Sequence, residues 1–135
     1  LLALPPMTIT VIMHTLGMGL VGRCYKRFGR RPSRGTRTGP HIFVLIAIVA
    51  IMLATHYLEV SAWAIFYFLA GILDDFRTAM FYSINAYTTL GASNITLTGR
   101  WKGIDGFEAM TAMLMFGWST AVLAVVVQKL HSLDD

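Results

Sequence analysis

The segment that decides the fold reads YTTLGASN, from Tyr87 to Asn94. It overlaps the end of residues 78–88, which have helix length but are too short to cross a bilayer, since a spanning helix needs about 20 residues. Long, mostly apolar segments lie on both sides, at 41–57 and 107–130. Non-helical backbone at membrane depth must be buried in protein or line a wet cavity. The pattern therefore predicts a re-entrant loop that enters and leaves the membrane on one face.

The composition is that of a membrane protein. Hydrophobic residues make up 56% of the 135 residues and charged residues only 13%, against about 25% charged in a typical soluble domain. This shortage of surface charge indicates that lipid surrounds much of the chain. The single cysteine, Cys24, excludes an internal disulfide.

Three segments are predicted to span the membrane. Residues 7–22 form an uncharged stretch, residues 41–73 are apolar with few interruptions, and residues 107–130 form the last long apolar segment. An unbroken helix over 41–73 would measure about 50 Å at ~1.5 Å per residue, whereas the hydrocarbon core is about 30 Å thick. We therefore expect its second part to tilt, protrude or bend.

A basic loop predicts the orientation. Seven of the eleven basic residues lie between Arg23 and Arg37, and no acid interrupts them. Such a run could bind nucleic acid or anionic lipid head groups, but apolar segments abut it on both sides, which favours a topology signal and no nucleic-acid partner. The positive-inside rule then places the basic loop and carboxy terminus in the cytoplasm and the amino terminus outside.

The short helix and its turn carry a resemblance to a known family. The sequence DFRTAMFYSINAYTTLG, followed by AMTAMLMFGWSTAVLAVVVQ, resembles the pore helix, filter and inner helix of bacterial potassium channels. HYLEVSAWAIFYFLAGILDDF resembles the outer-helix end of the same proteins, and the likeness covers roughly residues 41–128. It implies an all-α membrane protein of three transmembrane helices, with a re-entrant pore helix and filter loop between the last two. Residues 1–40 would form the first helix and basic loop, and residues 41–135 the pore module.

In that family four chains surround one axis, and backbone carbonyls with one threonine hydroxyl per chain replace the hydration shell of the ion. By position, Thr89 would supply the innermost hydroxyl and carbonyl. Leu90 stands where valine or isoleucine is usual, and Gly91 is the first filter glycine. The pore-helix dipole would favour a cation at its carboxy-terminal end. The resemblance thus implies a filter-like segment of Thr88, Thr89, Leu90, Gly91, Ala92 and Ser93.

The outer half of the filter departs from the family pattern. Ala92 replaces an aromatic residue, Ser93 replaces the second glycine, and Asn94 replaces an aspartate at the pore mouth. A serine in the left-handed conformation costs roughly 1–2 kcal/mol per chain. We therefore expect potassium selectivity to be lost or weakened.

Two hypotheses of function follow. The first is a homotetrameric channel for a monovalent cation, potassium or sodium, embedded in the bilayer of a bacterial inner membrane. The second is a non-conducting subunit that keeps the channel fold and packs with unlike subunits in a larger membrane complex. The number of copies in the assembly separates them.

Glycines suggest two further features. In the resembled family a glycine near the middle of the inner helix permits bending at the gate, and Gly117 holds that position; close packing against a neighbour is the equal alternative. Gly17, Gly19 and Gly22 spell G-x-G-x-x-G, but they end an apolar helix in a chain too short for a dinucleotide-binding domain. We interpret them as small residues for close helix packing.

The sequence predicts neither cofactor nor bound metal. The chain has four histidines: His14, His41, His56 and His131. His14 and His56 are expected toward the outer halves of their helices, where facing rings could hold a haem. However, no C-x-x-C-H motif appears, and nothing in the sequence fixes the two rings opposite each other.

Two glutamates, one asparagine and the methionines are not predicted to have a catalytic or metal-binding role. Glu59 and Glu108 fall near predicted outer helix ends, where solvation is easy, with a pore-mouth role as the alternative. Asn94 also begins a glycosylation sequon, meaningful only in a eukaryotic secretory pathway. Methionines are interpreted as packing residues rather than soft-metal ligands, among them Met110, Met113 and Met115. No catalytic triad, paired carboxylates or phosphate loop appears in a plausible setting, so we predict that the chain is not an enzyme.

Overall fold

The structure, a computed structural model, describes residues 2–29, 38–91 and 94–131. Four α-helices account for most of these residues: α1 (Leu4–Cys24), α2 (Thr38–Leu69), α3 (Phe76–Tyr87) and α4 (Ile104–His131). Within the described ranges no strand is present. Three helical segments are long and apolar enough to cross a membrane, Leu4–Gly29, His41–Leu69 and Gly99–Leu130. The all-helical fold with three helices of spanning length is therefore confirmed for the described residues, and it indicates a membrane-embedded protein.

α1 extends beyond its predicted span at both ends, whereas α2 begins three residues before its predicted span and ends four residues short of it. Pro5 and Pro6, the second and third residues of α1, let it start early, because the N–H groups that prolines lack need no partner in the first turn of a helix. A single π-helical turn, Tyr25–Gly29, continues it. α2 has 32 residues without a break, about 48 Å at ~1.5 Å per residue. It exceeds a hydrocarbon core of about 30 Å, so it must tilt or protrude rather than break.

α2 ends in a Schellman motif with glycine at the left-handed position. Ile72 N–H donates to Tyr67 O at 3.0 Å, and Gly71 N–H donates to Phe68 O at 3.1 Å. Gly71 has φ 64°, a conformation that glycine adopts without steric cost. The helix therefore stops where the sequence supplies its glycine.

α3 confirms the predicted short helix to within two residues. Its amino terminus is capped by Asp75, whose carboxylate accepts the Thr78 N–H at 2.9 Å. Its carboxy terminus repeats the Schellman pattern, with Leu90 N–H to Asn85 O at 2.9 Å and Thr89 N–H to Ala86 O at 3.0 Å.

α1 packs against α2 in the antiparallel sense. Trp63 Nε1 donates to Thr10 Oγ1 at 3.0 Å. Near the middle of the pair, a Cβ added to Gly17 would lie 2.5 Å from Thr55 Cγ2. Close packing is confirmed for Gly17. For Gly19 and Gly22 it is not, since no described atom lies within 4 Å of an added Cβ.

α3 lies between α2 and α4. Its first residue, Phe76, packs against Phe68 near the end of α2, with ring centroids 6.3 Å apart. Its last residue, Tyr87, packs against Phe116 of α4 at 5.4 Å and donates to Glu59 of α2. α3 therefore extends from the end of α2 to the middle of α2 and α4. The chain then returns, because Trp101 packs against Phe66 at 6.1 Å.

The buried apolar residues form two clusters along the helices. The first includes Trp63, Tyr67 and Tyr82 near the end of α2. The second includes Val21 and Ile48 near the opposite end. Many large apolar side chains outside both clusters are exposed, as expected for helices that face lipid or other subunits.

Candidate functional site

The filter-like residues lie at the carboxy-terminal end of α3 and are exposed. Leu90 is 69% exposed, and Thr88, Thr89 and Gly91 are also exposed. Thr88 Oγ1 donates to Ile84 O at 2.6 Å, so its hydroxyl is engaged with the helix. Asn94 is exposed beyond the turn. The predicted sites Ala92 and Ser93 lie outside the described residues.

Thr89 has an unfavourable backbone conformation. Its φ is 57°, and it alone among the described non-glycine residues has a positive φ. Threonine is β-branched, and the left-handed conformation costs an L-residue roughly 1–2 kcal/mol. Residues with such unfavourable backbone angles cluster at functional sites. Thr89 lies in the same turn that the resemblance identifies as filter-like.

One glycine and three methionines of α4 were also predicted to have a role, and they lie at different positions along the helix. The helix continues through Gly117 without interruption, and an added Cβ there meets no described atom within 4 Å. Packing within the described chain therefore does not account for this glycine. Met115 is buried, whereas Met110 and Met113 are 50% and 55% exposed. The packing interpretation is thus confirmed for Met115 and, in the other helices, for Met18 and Met52, which are also buried.

A polar layer crosses the interior between the two apolar clusters. His14 Nδ1 lies 2.9 Å from Glu59 Oε1, and His56 Nδ1 lies 3.2 Å from Glu59 Oε2. The imidazole ring centroids are 5.4 Å apart. The sequence did not predict how the two rings lie relative to each other. In the structure both rings contact the carboxylate of Glu59. Because that carboxylate bridges the rings, the arrangement does not favour a haem between them.

Two hydroxyl groups complete this layer. Tyr87 O–H donates to Glu59 Oε2 and lies 3.1 Å from His56 Nδ1. Ser119 Oγ lies 3.1 Å from the other nitrogen of His56, Nε2. The phenol of Tyr87 is therefore a hydrogen-bond donor to the buried carboxylate of Glu59.

The layer lies near the midpoint of the helices that supply it. His14 is the eleventh of 21 residues in α1, His56 the nineteenth of 32 in α2, and Ser119 the sixteenth of 28 in α4. His14 and Glu59 are completely buried. Polar groups so placed are costly unless each finds a partner.

One nitrogen in the layer lacks a partner. Among the described residues, His14 Nε2 is buried and accepts or donates no hydrogen bond. If Nδ1–H donates to Glu59, then Nε2 carries a lone pair with no donor facing it. Buried polar atoms without partners are few in native proteins, and each needs an explanation.

A second polar cluster surrounds Glu108. Tyr67 O–H donates to Glu108 Oε2 at 2.6 Å, and Ser83 Oγ lies 2.5 Å from Oε1. Ser83 Oγ also lies 2.9 Å from Val60 O. These contacts join α2, α3 and α4.

The expectation that Glu59 and Glu108 are easily solvated is wrong, because both are 0% exposed. Helix packing covers both positions, which the linear sequence does not reveal. One local signal was present: His56 and Glu59 are three residues apart, a spacing that places them on one helix face. Nothing in the sequence placed His14 opposite them.

Comparisons with protein-family models, with curated proteins and with solved structures find no match to this chain. The evidence for the function of this chain therefore comes from its own residues and from the resemblance of its sequence to the channel family.

Proposed function

We propose that this chain is a potassium-channel-like membrane protein whose copies assemble, four around one axis, to conduct monovalent cations with weakened potassium selectivity. The observation that carries the proposal is the turn at Thr88–Gly91: it is exposed, it ends a short helix beside the middles of two apolar helices, and Thr89 within it has φ 57°. Its membrane would be a bacterial inner membrane, with the basic loop and carboxy terminus in the cytoplasm.

The path of the chain supports a re-entrant pore loop. Tyr87 contacts Glu59 and Phe116, both near the middle of their helices. Trp101 then contacts Phe66 near the end of α2. A segment that starts beside the end of α2, reaches mid-helix and returns to the same end has the course of a pore loop.

The exposed apolar surface supports an assembly within lipid. Leu53, Leu114 and Phe43 are 65%, 70% and 72% exposed. One chain alone leaves the filter-like turn on its surface. Lining an ion pathway requires several copies to place their turns around a common axis, where main-chain carbonyls can replace water around the ion.

The sequence at positions 92–94 supports the altered selectivity. Ala92 cannot brace the filter as an aromatic residue does, and Ser93 lacks the conformational freedom of glycine. Asn94 removes one negative charge per chain at the mouth. Fewer ordered coordination sites would discriminate less between potassium and sodium.

The test is the mass of the detergent-extracted assembly, followed by potassium and sodium flux into liposomes that contain the purified chain. We expect four copies, and flux of both ions above that of empty liposomes. Thr89→Ala should reduce the flux, because it removes the proposed coordinating hydroxyl. Thr96→Ala, at an exposed threonine seven residues further on, is the matched control and should not. Full potassium selectivity would contradict the proposed weakening.

The second candidate is a non-conducting subunit of a larger membrane complex. The observation that favours it is the Schellman closure itself, since the N–H groups of Leu90 and Gly91 both bond Asn85 O, at 2.9 and 3.4 Å. This bonding folds the segment back onto α3. A single copy bound to unlike chains, with no flux in liposomes, would support this candidate against the first.

A further inference from the structure

We propose that His14, His56 and Glu59 form a binding site for one first-row divalent transition-metal ion, such as Zn²⁺, Co²⁺ or Cu²⁺, inside the helix bundle. One imidazole nitrogen from each histidine and one carboxylate oxygen from Glu59 all lie within 4.8 Å of one another. The inference does not depend on ion conduction.

The distances match those between metal ligands. Two ligands bound at about 2.0–2.2 Å to one ion lie roughly 3.0–3.5 Å apart in octahedral or tetrahedral geometry. The observed separations between histidine nitrogens and Glu59 oxygens are 2.9 and 3.2 Å. An ion could therefore replace the bridging protons with a small movement of the side chains.

The donor set selects the class of metal. Imidazole nitrogens suit zinc, copper, iron and nickel, and two histidines with one carboxylate are a recurrent set for such ions. Calcium and magnesium prefer oxygen ligands only. The Tyr87 hydroxyl, next to both Glu59 and His56, is a further oxygen within the site.

Complete burial shields the site from water. His14 and Glu59 are both 0% exposed, so an ion bound between their side chains would be enclosed by the helices. With His14 Nδ1 on the ion, His14 Nε2 would remain an N–H group without a partner among the described residues.

The surrounding hydroxyl group fits a supporting role. Ligating histidines commonly bond their second nitrogen to a neighbouring group that fixes the ring. Ser119 Oγ, 3.1 Å from His56 Nε2, can do this when Nδ1 binds the ion. An ion held by α1 and α2 would also restrain Tyr87, which immediately precedes the filter-like turn. Occupancy would thus stabilise the position of α1 and of this turn together.

The experiment titrates the metal-free full chain, in detergent and without an affinity tag, with Co²⁺ and Zn²⁺. We expect about one ion per chain by elemental analysis, and a Co²⁺ visible spectrum typical of nitrogen and oxygen ligands. Loss of a ligand in His14→Gln, His56→Gln or Glu59→Gln should weaken binding by more than about 100-fold. Ser119→Ala should weaken it by about tenfold, the lower end for a group that supports a ligand.

Matched controls distinguish the loss of a metal ligand from the effect of altering any buried glutamate or any histidine. Glu108→Gln alters another fully buried glutamate, and His41→Gln alters a histidine outside the layer; both should bind Co²⁺ like the unaltered chain. If a ligand variant fails to fold, electron paramagnetic resonance of the unaltered chain with Cu²⁺ still decides, since two imidazole nitrogens should appear in its hyperfine pattern.

Two outcomes would overturn the proposal. One is that the unaltered chain takes up no ion, in which case the polar layer only joins the helices by hydrogen bonds. The other is that the three ligand variants, correctly folded, bind as tightly as the controls. Neither outcome bears on the liposome flux, so failure of this proposal is distinguishable from failure of the proposed function.

Discussion

Thr89 occupies the same position in the Schellman motif that ends α3 as Gly71 occupies in the motif that ends α2. Their φ angles are 57° and 64°, and the paired main-chain hydrogen bonds agree within 0.1 Å. The chain thus has glycine, which adopts the left-handed conformation without cost, at the end of α2, and threonine, which adopts it at a cost, at the end of α3. Thr89, the unfavourable residue, lies in the turn for which we propose ion coordination.

The first prediction follows from this pair. Thr89→Gly should raise the free energy of unfolding by about 1 kcal/mol, because it relieves left-handed strain. Gly71→Ala should lower it by a similar amount, since an added Cβ meets no described atom within 4 Å and the cost is conformational. Denaturant unfolding in detergent measures both. Destabilisation by Thr89→Gly would show that the threonine side chain makes compensating contacts.

The second prediction concerns the contact between α1 and α2. Gly17→Ala places a methyl group 2.5 Å from Thr55 Cγ2 and should destabilise the protein by about 1–3 kcal/mol, as overpacking does. Gly19→Ala meets open space among the described atoms, and should stabilise by up to about 1 kcal/mol through helix propensity. Thermal unfolding in detergent compares the two. Equal effects would contradict close approach at Gly17.

The third prediction tests the cluster around Glu108. Tyr67→Phe removes the 2.6 Å hydrogen bond to Glu108 Oε2 and should cost about 1–3 kcal/mol, because a buried acceptor loses its donor. Tyr57→Phe is the matched control: Tyr57 is 61% exposed and its change should stay within about 0.5 kcal/mol. The free energy of unfolding in detergent is the measurement. A tolerated Tyr67→Phe would mean that water or Glu108 itself rearranges.

The fourth prediction is a pH dependence at the start of α3. The hydrogen bond between the Asp75 carboxylate and Thr78 holds the pKa of Asp75 below its ordinary value of 3.8. Because the folded-state pKa is the lower one, the cap's contribution is complete above the unfolded-state pKa and is lost as pH falls through the folded-state pKa.

The Thr78 amide resonance should therefore titrate with a midpoint below 3.8. Asp75→Asn keeps an oxygen acceptor at the cap and should abolish the titration while α3 remains helical. A midpoint at or above 3.8 would show that the cap does not form.

Local patterns predicted the helices well because their causes are local. The short helix at 78–88 was predicted from its length and the glycine that follows, and α3 occupies Phe76–Tyr87. The three spans were readable because lipid requires long uninterrupted apolar segments. Glu59 and Glu108 were misjudged, because burial depends on which helix face a neighbour covers.

The sequence by itself determined the number of membrane helices, the position of the short helix between the last two, and the departure from the channel pattern at Ala92 and Ser93. Tertiary structure alone decided that His14 meets His56 and Glu59, and that Glu59 and Glu108 are buried. The physical reason is that hydropathy and helix length are properties of contiguous residues. Side-chain clusters instead depend on the register of helices packed across more than 40 residues of sequence.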